Sequence, residues 1–419
     1  MTTTITTPMM SKTKAKKTAE VRVHLESGPH LAIGLMSGTS HDGVSAAVVR
    51  LDERHHPRAE AIAFHTFPYS PKFRARLLEV ASMKNIGAPA VSSINFELGK
   101  IFGNAAIKIA RFAKTSLREI SFIGSHGHTI FHLPPRTAAH RQTPSTMQVG
   151  ESSIIAALTG LPVVADFRPM DMALGGEAAP LAPLAHLWLF GDRKLGRIIQ
   201  NIGGIGNSTY LKAGATLNDP TLIAFDTGPG GNLIDALVDK LSGGQMKMDR
   251  DGKMAARGRV SDELLAELLR HPYFRRRPPK STGREEFGSQ YLEDVERRAT
   301  SAGVASDDLV ATVTALTARS IADAVRRFVM PLGRVDQLIA TGGGARNRTL
   351  LRMIHGYLPE VEVLTAKAVG VDGDSLEVVA FAILAYQMLR GRQGNIPSVT
   401  GASGPAILGK LTLPPTPRG

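Results

Sequence analysis

Cysteine is absent from all 419 residues. That removes disulfides, thiolate metal sites and cysteine nucleophiles, and it fits a reducing compartment, for which the cytoplasm is the expectation. Long apolar runs are missing too: the stretch 376–389 (LEVVAFAILAYQML) carries Glu377 and Gln387 and falls short of the ~20 uninterrupted apolar residues that a bilayer requires, so no membrane association is expected. Aromatic residues make up only 5% of the chain. Few rings are available for base stacking, so the formal charge of +13 is better matched to anionic small molecules than to nucleic acid. Neither GxxxxGK[ST] nor GxGxxG occurs, which takes the main support from a P-loop or a Rossmann reading.

What is present begins with a Thr-rich segment, 1–28, in which Lys12, Lys14, Lys16, Lys17 and Arg22 face only Glu20 and Glu26. It lacks the apolar centre of a secretory signal and is predicted to be a disordered basic tail. The remaining length, 43% hydrophobic, can bury a large core divided over two or three domains.

Strand-like apolar runs end in glycine turns four times: at 34–49 (GLMSGTSHDGVSAAVV), 198–209 (IIQNIGGIGNST), 223–232 (IAFDTGPGGN) and 337–347 (QLIATGGGARN). In the first, Gly38 and Gly43 would let backbone amides approach an anion, Thr39 and Ser40 offer hydroxyls, and His41, Asp42, Val44 and Ser45 complete the turn and its exit. Any one of these is equally a plain hairpin turn. Four of them, spread over two halves of the chain, suit a nucleotide in a cleft between two α/β lobes, with Gly203, Gly204, Asn207, Gly342, Gly343 and Gly344 supplying the second lobe's turns.

Strands are predicted at 31–36, 44–51, 120–124, 163–167, near 197–226, and at 336–341 and 361–365. Helices are predicted at 71–84, 93–115, 150–160, 231–241, 261–270, 290–302, 307–330, 347–356 and 375–391. This alternation argues α/β lobes with mixed or parallel sheets, and no solenoid-length repeat emerges. The segment 275–287 (RRRPPKSTGREEF) cannot be helical through Pro278 and Pro279. It is either an ordered loop packing at the cleft or a solvated basic loop.

Taken together, GLMSGTSHDGVSAA, GSHGHTIFH (124–132), VVADFRPMDMALGGEAAPLAP (163–183), NIGGIGN (201–207), FDTGPGGNLID (225–235), PPKSTGREEF (278–287), ATGGGARN (340–347) and GNIPSVTGASG (394–404) resemble the landmarks of the anhydro-N-acetylmuramic acid kinase family, in that family's order, from about residue 31 to 411. The resemblance implies a two-lobed ribonuclease-H-like, actin-like ATPase fold with ATP and magnesium in the interdomain cleft. It also implies an anhydro amino sugar, 1,6-anhydro-N-acetylmuramic acid, as acceptor. Water would open the anhydro bridge while the released 6-oxygen takes the γ-phosphoryl group, giving N-acetylmuramic acid 6-phosphate in cell-wall recycling.

Such chemistry needs a carboxylate to accept the proton of water. Asp226 ends an apolar strand before ThrGlyProGly and is the first candidate; its alternative is a hydrogen bond to its own turn. Asp166 is the second candidate base. With Arg168 two residues on, it would share one face of a strand, either as an internal ion pair or gripping the sugar's hydroxyls and lactyl carboxylate. Ser125, His126 and Gly127 stand where the family contacts sugar, although a lone His after a buried strand is otherwise a core histidine. Glu377 stands where the family places a functional glutamate, but Asp374-x-x-Glu377 also reads as a capping box. Asp42 either orients magnesium through water or caps its turn.

The sequence departs from the family's pattern at Ser45 (generally Asp), His41 (generally apolar), His128 (Gln) and Glu177-Ala178 (Gln-Gly), and Gly231 displaces the expected Asn to position 232. The division expected is a first lobe over 29–195 completed by 372–411, a nucleotide-side lobe over 196–371, and a C-terminal tail over 412–419. A homodimer is left open. Competing readings are a non-catalytic, ATP-switched binding module on the same fold and a kinase for a related sugar.

Overall fold

In the computed structural model, residue 25 and residues 28–38, 41–54, 57–82, 87–138 and 142–416 are described. The predicted disordered tail thus lies almost wholly outside the described residues. Leu25 is an exception, since it packs against the core and its carbonyl accepts from Arg390 at 3.1 Å.

Twelve strands form two sheets among the described residues. The first contains β1 (His30–Ser37), β2 (Gly43–Asp52), β3 (Arg58–Pro68), β4 (Ile120–Leu133), β5 (Ser145–Val149) and β6 (Val163–Ala165). The second contains β7 (Arg197–Ile202), β8 (Ile205–Leu211), β9 (Ile223–Pro229), β10 (Gln337–Thr341) and β11 (Glu362–Thr365). The last strand, β12 (Lys410–Thr412), returns to pair antiparallel with β6.

Both sheets have one topology. In the first, β2 is antiparallel to β1 and to β3, while β4 runs parallel to β1 and β6 parallel to β4. In the second, β8 is antiparallel to β7 and to β9, while β10 runs parallel to β7 and β11 parallel to β10. A meander of three strands followed by two parallel additions on the far side of the first strand is the ribonuclease-H-like core. Its duplication makes the two-lobed, actin-like fold.

Strand alternation sorts side chains into layers. Ile33, Leu35, Val44, Ala46 and Val48 face outward onto helices Pro71–Ala81 and Ala88–Phe112. From the opposite face, Ala32, Ala47, Val49 and Phe122 join a core that also contains Ile199 and Ile339 of the second sheet, with helices Ala182–Phe190 and Leu376–Leu389 between. Helices Ser306–Ala324 and Arg348–Tyr357 cover the far face of the second sheet.

Helix Leu376–Leu389 lies against the backbone of the first sheet, which explains two glycines. Gly34 and Gly124 are register partners on β1 and β4, and a Cβ on either would stand 2.1 Å from the Val378 or Phe381 carbonyl oxygen. Alternation and apolar runs predicted most elements within a few residues. β3, β5, β12 and helix Ala182–Phe190 were not predicted. β6 stops at Ala165 rather than 167, because Asp166 takes a left-handed φ of 56°. No helix among the described residues is long and apolar enough to cross a membrane.

Candidate active site

A cavity of about 640 Å³ opens between the two sheets. One wall is a polar row across the second sheet: Thr341 of β10 pairs with Asn201 of β7, Asn201 with Asn207 of β8, and Asn207 with Asp226 of β9. All four line the cavity. Each stands next to a glycine turn, so the three glycine motifs of the second sheet, at 198–209, 223–232 and 337–347, are consequences of one geometry in which strands stop at the cleft and the chain turns in little space.

Asp226 sits on the edge strand, and the loop after Pro278–Pro279 runs along that edge. The Asp226 N–H donates to the Lys280 carbonyl at 3.1 Å, and the Thr282 N–H donates to Asp226 Oδ2 at 2.9 Å. The Tyr273 hydroxyl donates to the Asp226 carbonyl at 2.7 Å. Burial pushes the carboxyl up to about 6, the Thr282 N–H and the Lys280 ammonium opposing. Asp226 is therefore anionic at neutral pH but holds a proton far better than an exposed aspartate. The turn-capping alternative is not what the side chain does, since it caps a loop fifty-six residues away. Pro279, Lys280 and Ser281 line the cavity, so the 275–287 segment is a cleft loop, closed by the short helix Arg284–Phe287.

The opposite wall comes from the first lobe. The Arg168 Nε–H donates to His126 Nε2 at 3.0 Å, which leaves His126 Nδ1 to carry the proton and face the Gly127 carbonyl at 3.3 Å. The His126 ring stacks on Phe381 at 4.4 Å, and burial together with Arg168 keeps it neutral. Burial lowers Arg168 itself to about 10, with Glu377 and Asp171 opposing, so it stays charged. Arg168 also donates to the Ala178 carbonyl, and Ala178 in turn donates to the buried Asp171 carboxylate at 2.8 Å. Thr400 and Asn395 complete that carboxylate at 2.8 and 2.9 Å, tying the C-terminal segment to the cavity wall.

Glu377 is open to the water of the cavity yet walled by protein, and this burial raises its carboxyl while Arg168 opposes. The capping box does not form: Ser375 is the N-cap, and Asp374 pairs with Arg346 at 2.6 Å.

Asp166 is a correction. The left-handed φ breaks the strand before the expected alternation reaches residue 168, so Asp166 and Arg168 do not share a face. The Asp166 carboxylate takes Lys410 Nζ at 2.9 Å in an open ion pair and does not line the cavity.

In the first turn, Thr39 and Ser40 lie outside the described residues. Gly38 accepts from the His41 N–H at 3.2 Å. Gly43 is required by the sheet, since a Cβ there would meet the Phe67 carbonyl oxygen at 2.4 Å. The Val44 side chain is buried in the core, and the Ser45 hydroxyl meets Thr66 at 2.9 Å, so neither side chain faces the cleft. His41 packs on His128 at 4.7 Å; His128 Nδ1 meets the Ser37 hydroxyl at 3.0 Å, and burial lowers His128 to about 4. Ser125 is fully buried, and its hydroxyl has no partner among the described residues.

Asp42 is exposed, and among the described residues no three His, Asp or Glu side chains converge as a metal site. A lone carboxylate fits a magnesium ion carried mainly by water and nucleotide phosphates, not one caged by protein. Of the second-lobe glycines, Gly203 and Gly204 accept from the Gly231 and Gly230 N–H groups at 2.7 and 2.9 Å, closing two turns on each other. Gly342 has a φ of 74°, and a Cβ on it would meet Asn201 Oδ1 at 2.4 Å, whereas a Cβ on Gly343 meets nothing within 4 Å. On Gly344 it would meet Ile202 Cγ2. Glu177 lines the cavity paired with Arg136 at 3.5 Å, and Asn232 donates to the Phe287 carbonyl. Asn201, Thr341 and Lys280 also line the cavity, and in the sequence their one signal is adjacency to the glycine turns and to the Pro278–Pro279 pair.

The sequence profile of a family described as anhydro-N-acetylmuramic acid kinase matches residues 30–414. The chain is 42% identical over 385 residues to an anhydro-N-acetylmuramic acid kinase of Caldanaerobacter subterraneus subsp. tengcongensis, covering 91% of this chain and 97% of that protein. It is 37% identical over 386 residues to one of Bacillus thuringiensis subsp. konkukian, covering 91% and 99%. Among solved structures, the activator of the 2-hydroxyisocaproyl-CoA dehydratase from Clostridium difficile with bound ADPNP aligns over 86% of this chain and 96% of its own, at 11% identity and a TM-score of 0.42. A ROK hexokinase from Thermus thermophilus aligns over 86% and 99%, at 15% identity and a TM-score of 0.37. By its profile match and its relatives, the chain belongs to the anhydro-N-acetylmuramic acid kinase family.

Proposed function

We propose that the protein is an ATP-dependent kinase that opens the anhydro ring of 1,6-anhydro-N-acetylmuramic acid and phosphorylates its 6-oxygen, with Asp226 as the base. The observation that carries this reading is the half-buried Asp226 carboxylate, fixed by the Thr282 N–H and facing the Arg168 wall across one cavity. Asp226 takes a proton from water as the water oxygen bonds to the anomeric carbon. The bond from that carbon to the 6-oxygen breaks, the 6-oxygen bonds to the γ-phosphorus, and ADP leaves with the electron pair of the broken phosphoanhydride. Arg168, oriented by His126 and Ala178, suits the acceptor's carboxylate, and Glu377 its hydroxyls. The glycine turns at 203–204 and 342–344 and the first turn suit the nucleotide, with Asp42 available to a magnesium ion that would neutralise phosphoryl charge. The 29–195 and 372–411 segments form the sugar-side lobe, 196–371 the nucleotide side.

Incubation with ATP and the anhydro sugar should yield, by mass spectrometry, a ring-opened phosphorylated product and ADP. Tight binding of both without product would leave the ATP-switched binding module standing, and product only from another sugar would reassign the acceptor. Asp226→Asn should bind ATP normally and lose kcat by ~10²–10⁴-fold, the usual range for proton-transfer catalysis.

A further inference from the structure

Lys280 is an ammonium that the fold buries without a counter-ion in contact. It is only 7% exposed, and among the described residues no carboxylate oxygen lies within 4.0 Å of its Nζ. Its surroundings are aromatic: the centroids of Tyr273, Phe328 and Phe225 lie 4.5, 5.2 and 5.9 Å from Nζ, and its hydrogen bond is a long 3.5 Å contact to the Tyr273 carbonyl. Such a cage holds a cation but does not require one, because an apolar side chain of equal length would fill it at lower desolvation cost.

The same residue is part of the frame around Asp226. Its carbonyl accepts the Asp226 N–H at 3.1 Å, two residues later Thr282 donates to the carboxylate at 2.9 Å, and Lys280 and Asp226 both line the cavity. We propose that Lys280 is a positioning residue for Asp226: its caged ammonium keeps the neighbouring carboxylate anionic inside a cavity that favours the neutral acid. The inference rests on Asp226 being the base.

The charged groups facing the pair are few. Lys280 pulls the Asp226 carboxyl down while Glu285, on helix Arg284–Phe287, pushes it up; β8 presents the neutral Asn207 as register partner. Lys280 is itself lowered to about 8 by burial, Arg327 and Arg276, against Asp226 and Glu286. It therefore remains largely charged at pH 7, where the carboxylate must be free to take a proton.

The test is kcat/KM for the anhydro sugar against pH in wild type, Lys280→Met and Lys280→Arg. Methionine matches the length and suits the aromatic cage, so the variant should keep its melting temperature. Wild-type kcat/KM should rise through about pH 6. In Lys280→Met that limb should move up by about one unit or more, with activity recovering at high pH, since an opposite charge nearby is worth ~1–3 units. Lys280→Arg should keep the limb. An unmoved limb in Lys280→Met overturns the proposal, whatever the change in kcat, and an unmoved limb with raised KM for ATP assigns the ammonium to phosphate instead. Carbon-13 titration of Asp226 in the free protein, assigned with Asp226→Asn, separates the two readings. A shifted titration with an active Asp226→Asn would disprove the base role alone; an unshifted one with an inactive Asp226→Asn would disprove the Lys280 role alone.

Discussion

At the scale of single residues, neighbouring glycines have different reasons to exist. Gly342 combines a φ of 74° with a position where a Cβ would strike Asn201 Oδ1 at 2.4 Å, so Gly342→Ala should disturb the polar row itself and lower stability. Gly343 has open space where a Cβ would go. Gly343→Val should therefore fold, as circular dichroism would report, and raise KM for ATP roughly tenfold, about 1.4 kcal/mol, while sugar binding is retained. Loss of sugar binding with normal ATP affinity would contradict the placement of the nucleotide on the second lobe. Buried histidines carry another residue-scale expectation. Burial lowers His128 and His186 to about 4, below the value of 6.5 that they recover on unfolding. The unfolded chain binds more protons between those values, so their contribution is complete above pH 6.5 and is lost as pH falls toward 4, at up to roughly 3 kcal/mol each. Urea denaturation at pH 7 and pH 5 should show this loss, and His186→Gln should reduce the difference. No such reduction would mean that His186 is not buried neutral.

At the scale of elements, helix Leu376–Leu389 is what joins the sheets to the site. It presents Glu377 and Phe381 to the cavity while its backbone rests on β1 and β4 at Gly34 and Gly124. Alanine at either glycine forces backbone apart, because the obstructing atom is a carbonyl oxygen 2.1 Å away. A cost of about 1–3 kcal/mol or more is expected, read as a lowered melting temperature with impaired turnover, since Glu377 and the His126 stack move together. Gly356, in helix Arg348–Tyr357 with nothing within 4 Å, is the contrast. There alanine should stabilise by about 0.5–1 kcal/mol and leave kinetics alone. Equal effects at Gly34 and Gly356 would refute the close-approach argument. The cleft loop is an element of a second kind: it has no regular pairing of its own, yet through Lys280 and Thr282 it extends the edge of β9 and fixes the Asp226 carboxylate.

At the scale of the whole molecule, the same five-strand topology occurs twice, and helices Ala182–Phe190 and Leu376–Leu389 fill the space between the copies. No periodicity in the sequence announces this. The duplication survives as hydrogen-bond order and direction, which many apolar sequences satisfy equally well, and the two sheets have diverged in strand length and in their outer helices. What the duplication supplies is a cleft lined from both copies, by Met36 and His126 on one side and by Asn201, Asn207, Asp226 and Thr341 on the other.

Much of this was legible in the sequence. Apolar periodicity marks the central strands and the long helices, because a buried strand or helix must present apolar atoms at fixed spacing. Glycine turns after strands mark the cleft, because the chain turns there in little space, as at Gly342 with its φ of 74° and Asn201 Oδ1 2.4 Å from where a Cβ would stand. Edge strands such as β3 and β5 were not legible, since half-exposed edges carry no alternation strong enough to read. Asp166 shows the limit most plainly: a spacing of two from Arg168 predicts one face, and a single left-handed φ undoes it. The composition and motifs by themselves determined the family, the α/β class and Asp226 as a candidate. Only the tertiary structure decided which polar residues meet, because Asp226, Lys280, Arg168 and Glu377 lie far apart along the chain and are brought to one cavity by the packing of two sheets around shared helices.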